Sequence, residues 1–323
     1  MAVMAPPRIS LGTMPTPLQL APRLADALGI SRLYVKRDDL TGFSLGGNKI
    51  RKLEYLLADA GARGADTVLV CGGPASNLCQ AAAAAAEVLD FECELILYGD
   101  RPSPPPLNLQ LAEMSGAVAR FTNDDDRSSV DELAITRAND LRADGRQTFI
   151  IPRGGATPVG ALGYHDAALE LAAQLRAAGT NAASIVVGVG SGGTLAGILS
   201  GAAALNENWQ LIGASVSRSR EEATVRVQEL AAECSGLLGI APPSMEATIL
   251  DARGAGYGLR WPEADRAAEL ARQTEALLFD PVYTAKALAT LARIADDLDG
   301  PVVFWHTGGI GTAIEVVARK DLI

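Results

Sequence analysis

The feature that most limits what this chain can fold into is an alternation. Short apolar runs give way to segments of helical spacing through most of its 323 residues. Residues 67–71, 94–98, 148–151, 184–187, 211–216 and 301–305 read as buried strands. Residues 77–89, 131–143, 161–178, 194–205, 218–238 and 263–277 read as helices. An earlier helix is marked by Ile50, Leu53, Leu56 and Leu57. The pattern predicts an α/β chain whose parallel-rich sheets are flanked by helices. Several strands run straight into glycine turns, and ligands on such sheets bind beyond the carboxyl ends of the strands. No long linker divides the chain, so two domains would require the chain to cross between them.

Composition narrows the function. The net charge is −10, which argues against a nucleic-acid partner. It leaves room for an anionic cofactor, because backbone N–H groups bind phosphate locally. The four cysteines, Cys71, Cys79, Cys93 and Cys234, form no Cys-x-x-Cys pair, and His165 and His306 are the only histidines. A metal site is therefore not expected. The first ten residues lack an apolar core of signal-peptide length, and no run approaches a membrane span. The expectation is a soluble cytoplasmic protein with reduced thiols and no membrane partner.

Several segments could carry chemistry. Lys49 follows Gly46-Gly47-Asn48 at the start of an amphipathic helix. The positive end of the helix disfavours an ammonium there, and a desolvated lysine is a free amine able to attack an aldehyde. The same residues also suit a solvated basic surface. Gly188-Val189-Gly190-Ser191-Gly192-Gly193-Thr194 follows a strand and opens a helix, as a phosphate cradle would, or a tight structural turn. A dinucleotide site would want a carboxylate closing the next strand, and that strand ends Val216-Ser217-Arg218. Ser76-Asn77 suits a helix N-cap or a cradle for a small carboxylate. Tyr257, Tyr283 and the run His306-Thr307-Gly308-Gly309 sit in further turns.

Taken in order, these segments resemble the pyridoxal-phosphate enzymes of fold type II, which are tryptophan synthase β-like. The specific match is the family of 1-aminocyclopropane-1-carboxylate deaminase and D-cysteine desulfhydrase. It is carried by Lys36-Arg37-Asp38-Asp39-Leu40, Gly46-Gly47-Asn48-Lys49, Ser76-Asn77, Gly154-Gly155, Gly160-Ala161-Leu162-Gly163-Tyr164, Gly190-Ser191-Gly192-Gly193-Thr194, Asp280-Pro281-Val282-Tyr283-Thr284 and His306-Thr307-Gly308-Gly309.

The resemblance implies a pyridoxal 5'-phosphate enzyme with Lys49 as the Schiff-base lysine. Gly190, Ser191, Gly192, Gly193 and Thr194 would hold the phosphate and Asn77 the ring hydroxyl. Ser76, with Asn77 and Leu78 beside it, would meet the substrate, and Tyr257 and Tyr283 would stand near its reacting carbons. It implies a large cofactor-binding domain of residues 1–51 and 163–323, a smaller inserted domain of residues 52–162, and a homodimer.

Two positions bear on the reaction. Thr284 stands where the cyclopropane deaminases carry a glutamate against the pyridine nitrogen. A hydroxyl leaves that nitrogen unprotonated and the ring a weaker electron sink, which favours expulsion of a β-substituent over ring opening. Ala75 and Leu78 replace polar residues of the family's Gln-Ser-Asn-His/Gln pattern, so a less polar pocket is expected, with plain D-cysteine and sulfonates disfavoured. The resulting expectation is β-elimination at a carbon–sulfur bond of a β-substituted amino acid, releasing pyruvate and ammonia. Cyclopropane deamination, β-replacement or racemisation, and a catalytically silent cofactor-binding protein are the alternatives.

Overall fold

The computed structural model describes residues 6–318. In chain order the strands are β1 (Leu18–Leu20), β2 (Arg32–Arg37), β3 (Thr67–Gly72), β4 (Glu92–Leu97), β5 (Val118–Phe121), β6 (Thr148–Ile151), β7 (Ser184–Val189), β8 (Gln210–Ser215), β9 (Thr248–Asp251) and β10 (Pro301–His306). The helices are α1 (Pro22–Leu28), α2 (Asn48–Ala62), α3 (Asn77–Val88), α4 (Leu107–Met114), α5 (Ser129–Ala143) and α6 (Pro158–Ala177). They continue with α7 (Gly193–Ala204), α8 (Arg220–Leu237), α9 (Pro262–Glu275), α10 (Thr284–Ile294) and α11 (Ile310–Ala318).

Two sheets result. Strands β5-β4-β3-β6 form a four-stranded parallel sheet drawn from one continuous stretch. The six-stranded sheet, ordered β1-β2-β10-β7-β8-β9, takes strands from both sides of that stretch and is parallel except at β1. The chain thus leaves the larger sheet after β2, builds the smaller one, and returns.

The central strands show why the pattern was apolar without alternation. In β7 and β10, Val187, Val303 and Trp305 pack with Leu171, Leu195 and Leu199 of α6 and α7. Val186, Val302 and Phe304 point the other way, among Leu288 and Leu291 of α10. Both faces are covered, so the runs Ile185–Val187 and Val302–Trp305 are apolar throughout. The strands that the pattern misses, β1, β2, β5 and β9, differ in kind. β1, β5 and β9 are short edge strands with exposed positions, and β2 ends Val35-Lys36-Arg37.

Lys36 has 0% exposure, and burial of such a charge requires partners. Its Nζ donates to Thr16 O and Gln174 Oε1, both at 2.7 Å, and pairs with Glu170. Beside it Asp38 accepts from Arg51 Nη2 (2.9 Å), Thr16 Oγ1 (2.8 Å), Tyr164 Oη (2.5 Å) and Trp305 Nε1 (2.8 Å). Burial opposes the Asp38 charge, but Arg51 and then Lys36 hold its carboxyl below the usual range. Arg51 also donates to Glu170 through Nη1 and Nη2. This network ties α2 to β2, β10 and α6 through Arg51, two residues from Lys49. Among the described residues no helix is long and apolar enough to cross a membrane.

Candidate active site

The carboxyl ends of both sheets face a cavity of about 330 Å³, within the range of small-molecule sites. Lys49, the second residue of α2, lines it. The helix starts where it does because Gly47 (φ 53°) lies against the loop after β10: a Cβ there would sit 2.5 Å from Thr307 O. The Asn48 amide donates to the same oxygen at 2.8 Å. Lys49 Nζ donates to Asn48 Oδ1 at 2.9 Å, and Asn48 Nδ2 to Thr194 Oγ1 at 3.1 Å. Enclosure pushes the Lys49 ammonium down to about 8, against a weaker opposing pull from Asp280.

Lys52 lies one turn further on, where i and i+3 share a helix face. It lines the cavity, is buried, and donates from Nζ to Gly154 O at 3.1 Å. Burial and then the charge of Lys49 hold its ammonium well below the usual lysine range. The sequence reading passed over Lys52 as one of several basic residues. The three-residue spacing from Lys49 was the available signal.

The glycine loop joins β7 to α7. Gly190, Ser191, Gly192 and Thr194 line the cavity. Gly193 opens the helix, and a Cβ there would come 3.2 Å from Lys52 Nζ. Gly190 is required because a Cβ would press on the Tyr283 ring at 2.9 Å. From outside, Ser217 Oγ and Arg218 Nη1 donate to Gly190 O at 3.0 and 2.7 Å. A helix N-terminus, two hydroxyls and a buried ammonium meet here, a donor set that suits a phosphate. With an enclosed amine nearby, the cavity fits an aldehyde-bearing phosphate cofactor.

Ser76, Asn77 and Leu78 open α3 and line the same cavity. Ser76 Oγ accepts from Cys79 N at 3.2 Å, so it is both an N-cap and a cavity residue. Asn77 Oδ1 accepts from Asn108 Nδ2 at 2.9 Å, which fixes its carboxamide. Cys79 does not line the cavity, and burial pushes its thiol up to about 12.

Tyr257 and Tyr283 both line the cavity, with hydroxyl oxygens 2.6 Å apart. Burial first, then Tyr257, holds the Tyr283 phenol well above its ordinary value. Thr284 is placed differently from expectation. It is buried behind the wall, and its hydroxyl donates to Asp280 Oδ1 at 2.6 Å and accepts from Asp280 N at 2.9 Å. Asp280 itself reaches the cavity, because its carboxylate caps the turn into α10. His306 stays outside the lining. Its Nε2 bonds Leu278 O at 3.1 Å, its Nδ1 accepts from Gly308 N at 3.3 Å, and burial pushes it down to about 4.

The expected loss of polarity around Ala75 and Leu78 does not extend to the cavity as a whole. Arg127 and Arg153 also line it, along with Tyr98. Neither arginine was singled out from the sequence, where Arg127 trails an acidic loop that reads as plain surface.

A family model described as pyridoxal-phosphate dependent enzyme matches residues 9–308. A Pyrococcus abyssi protein provisionally named 1-aminocyclopropane-1-carboxylate deaminase is 41% identical over 306 residues, covering 94% of this chain and 92% of its own. A D-cysteine desulfhydrase of Salmonella choleraesuis is 38% identical over 314 residues, covering 94% of each. The crystal structure of a 1-aminocyclopropane-1-carboxylate deaminase homologue superposes with a TM-score of 0.91 at 36% identity, covering 97% of this chain and 95% of that one. Agreement along nearly the whole chain, over a cavity lined by both an enclosed lysine and a glycine loop, establishes that this chain belongs to the pyridoxal-phosphate-dependent enzymes, in the family of 1-aminocyclopropane-1-carboxylate deaminase and D-cysteine desulfhydrase.

Proposed function

We propose that the chain is a carbon–sulfur lyase that removes the β-substituent from a β-substituted amino acid and yields pyruvate and ammonia. One observation carries this reading. Asp280 is the single carboxylate lining the cavity among the described residues, and its oxygens are already engaged. Oδ1 accepts from Thr284 N and Oγ1 at 3.0 and 2.6 Å, and Oδ2 from Val282 N and Tyr283 N at 3.0 and 2.8 Å. A carboxylate so occupied is poorly placed to keep a ring nitrogen protonated. Opening an unactivated cyclopropane benefits most from that strong sink, whereas a β-leaving group departs without it.

Bound pyridoxal phosphate supplies an aldehyde that captures amines and a ring that draws electrons from the α-carbon. Lys49 Nζ would hold it between turnovers, and Lys52 with Gly190, Ser191, Gly192, Gly193 and Thr194 would hold its phosphate. Asn77 would orient the ring by a hydrogen bond to the ring hydroxyl. Ser76 and the amides opening α3 bind the substrate carboxylate, beside the apolar wall of Leu78. Lys49 Nζ, once released, takes the α-proton. The β-substituent leaves with the electron pair of its bond to carbon, and the Tyr257–Tyr283 pair delivers a proton to it. The released 2-aminoacrylate reacts with water to give pyruvate and ammonia. A homodimer belongs to the same reading and is checked by sedimentation.

The test offers the holoenzyme both enantiomers of β-chloroalanine and of S-substituted cysteines, and separately 1-aminocyclopropane-1-carboxylate. Pyruvate from the former supports the lyase. Preferential release of 2-oxobutanoate from the cyclopropane overturns it in favour of deamination, the reading that the name of the Pyrococcus relative supports. A visible spectrum that no amino acid perturbs overturns both.

A further inference from the structure

Arg127 is the one cavity-lining cation with no hydrogen bond or ion pair among the described residues. It lies in the loop between β5 and α5, with its guanidinium 4.0 Å from the centroid of the Tyr257 ring. Its Nε is buried without a hydrogen-bond partner. Two of the three acids preceding it serve the loop itself: Asp124 Oδ1 accepts from Asp126 N at 2.8 Å, and Asp126 Oδ1 from Ser128 N and Oγ at 2.9 and 2.8 Å.

The surroundings add positive charge. Arg153 lines the same cavity, and its ion pair is a long 3.4 Å contact to a half-exposed Asp131. Arg127 and Arg153 both act on the Tyr98 phenol, opposing the rise imposed by burial and Tyr257. Arg218 is held below the usual guanidinium range by burial, then by Arg127, Arg153 and Arg226. In a chain of net charge −10, Arg127 and Arg153 in the cavity lining, with Arg218 and Arg226 near them, form a local concentration of cations. A buried guanidinium N–H left unpaired is costly unless an anion meets the planar fork, and stacking on a tyrosine compensates only in part.

Arg218 and Arg226 brace the phosphate side of the cavity, since they donate to Gly190 O and Ala156 O at 2.7 and 3.1 Å. Arg127 instead stacks on Tyr257, at the tyrosine pair assigned to the leaving group. Resting on that reading of the site, we propose that Arg127, supported by Arg153, forms a subsite for an anionic group on the substrate's β-substituent. The substrate class is then a β-substituted amino acid carrying a second acid beyond its α-carboxylate.

The test uses an isosteric pair with the holoenzyme: S-carboxymethylcysteine and S-carbamoylmethylcysteine, each as both enantiomers. They differ in a carboxylate against an amide. Two readouts are taken, pyruvate release and the apparent Kd from the change in the visible spectrum. The acid should be preferred by about 10- to 100-fold, the size of a charge-assisted hydrogen bond converted to a ratio, mainly through KM. Arg127→Gln should collapse that preference, Arg153→Gln should reduce it, and Arg127→Lys should keep part of it. Should Arg127→Gln lose the cofactor band, the Lys variant carries the test, with partial loss of preference as the supporting result. Equal binding of acid and amide, or a preference that Arg127 substitution leaves unchanged, overturns the subsite and leaves Arg127 as a cover stacked on Tyr257. Pyruvate from both compounds without acid preference defeats the subsite alone. Tighter binding of the acid through Arg127 without pyruvate defeats the lyase reading alone.

Discussion

The hydroxyl oxygens of Tyr257 and Tyr283 lie 2.6 Å apart, although one tyrosine comes from the loop after β9 and the other from the turn that opens α10. Their rings meet edge to face, 6.1 Å between centroids. One phenol must donate to the other, which leaves the second proton free to be given away. Replacing either with phenylalanine should lower kcat on a thioether substrate by about 100-fold or more, the usual scale of a lost proton donor. The loss should be much smaller on β-chloroalanine, because chloride departs without a proton. Comparing kcat for the two substrates in each variant reads this directly, and equal losses on both would assign the pair to substrate positioning.

The lowered Lys49 ammonium sets a pH dependence for cofactor capture. Below about 8 the group is charged and cannot attack an aldehyde; above it the amine is free. The rate at which cofactor-stripped protein develops its visible band on adding pyridoxal phosphate should therefore rise with pH, reach half its limit near 8, and level off. An ordinary exposed lysine would keep rising towards its value near 10.4. Lys49→Ala should abolish the band and turnover at every pH.

What the sequence revealed of this site follows from burial. β7 is covered on both faces and runs straight into Gly188–Thr194, so strand, turn and helix start could all be placed from residue types alone. Lys36 hid β2, because its neutralising partners Glu170 and Gln174 lie more than 130 positions away and a lone sequence does not show them. Thr284 reads from the sequence as a hydroxyl at the ring nitrogen, whereas the hydrogen bond that turns its hydroxyl to Asp280 depends on how the turn closes. Arg127 reads as part of a solvated acidic loop until the fold lays it across Tyr257, a residue of another strand connection.

The network around Asp38 predicts a stability effect remote from chemistry. Asp38→Asn keeps the shape and removes the charge that faces Arg51 and Lys36. Breaking a buried pair from one side costs roughly 3–5 kcal/mol, so thermal unfolding should move down by several degrees. Because the folded Asp38 carboxyl is held below its unfolded value, its stabilising contribution is full above the ordinary carboxylate range. It is lost as pH falls through the folded value. The gap between the parent and Asp38→Asn should accordingly narrow in acid, as urea unfolding at neutral and acidic pH would show.

Lys52 supplies a sharper test of the phosphate cradle. Its ammonium is buried, disfavoured by Lys49, and held by one carbonyl, Gly154 O at 3.1 Å. A dianion arriving at the start of α7 would favour the charged form, so binding should draw a proton onto Lys52. Lys52→Gln should weaken pyridoxal phosphate binding by about 10- to 100-fold, the scale of a charge-assisted contact. It should weaken binding of pyridoxal, which lacks the phosphate, far less. Calorimetry in two buffers of different ionisation enthalpy would detect the proton taken up by the parent and missing in the variant. An equal loss of affinity for both compounds would place Lys52 in the support of Lys49 instead, acting through the helix they share.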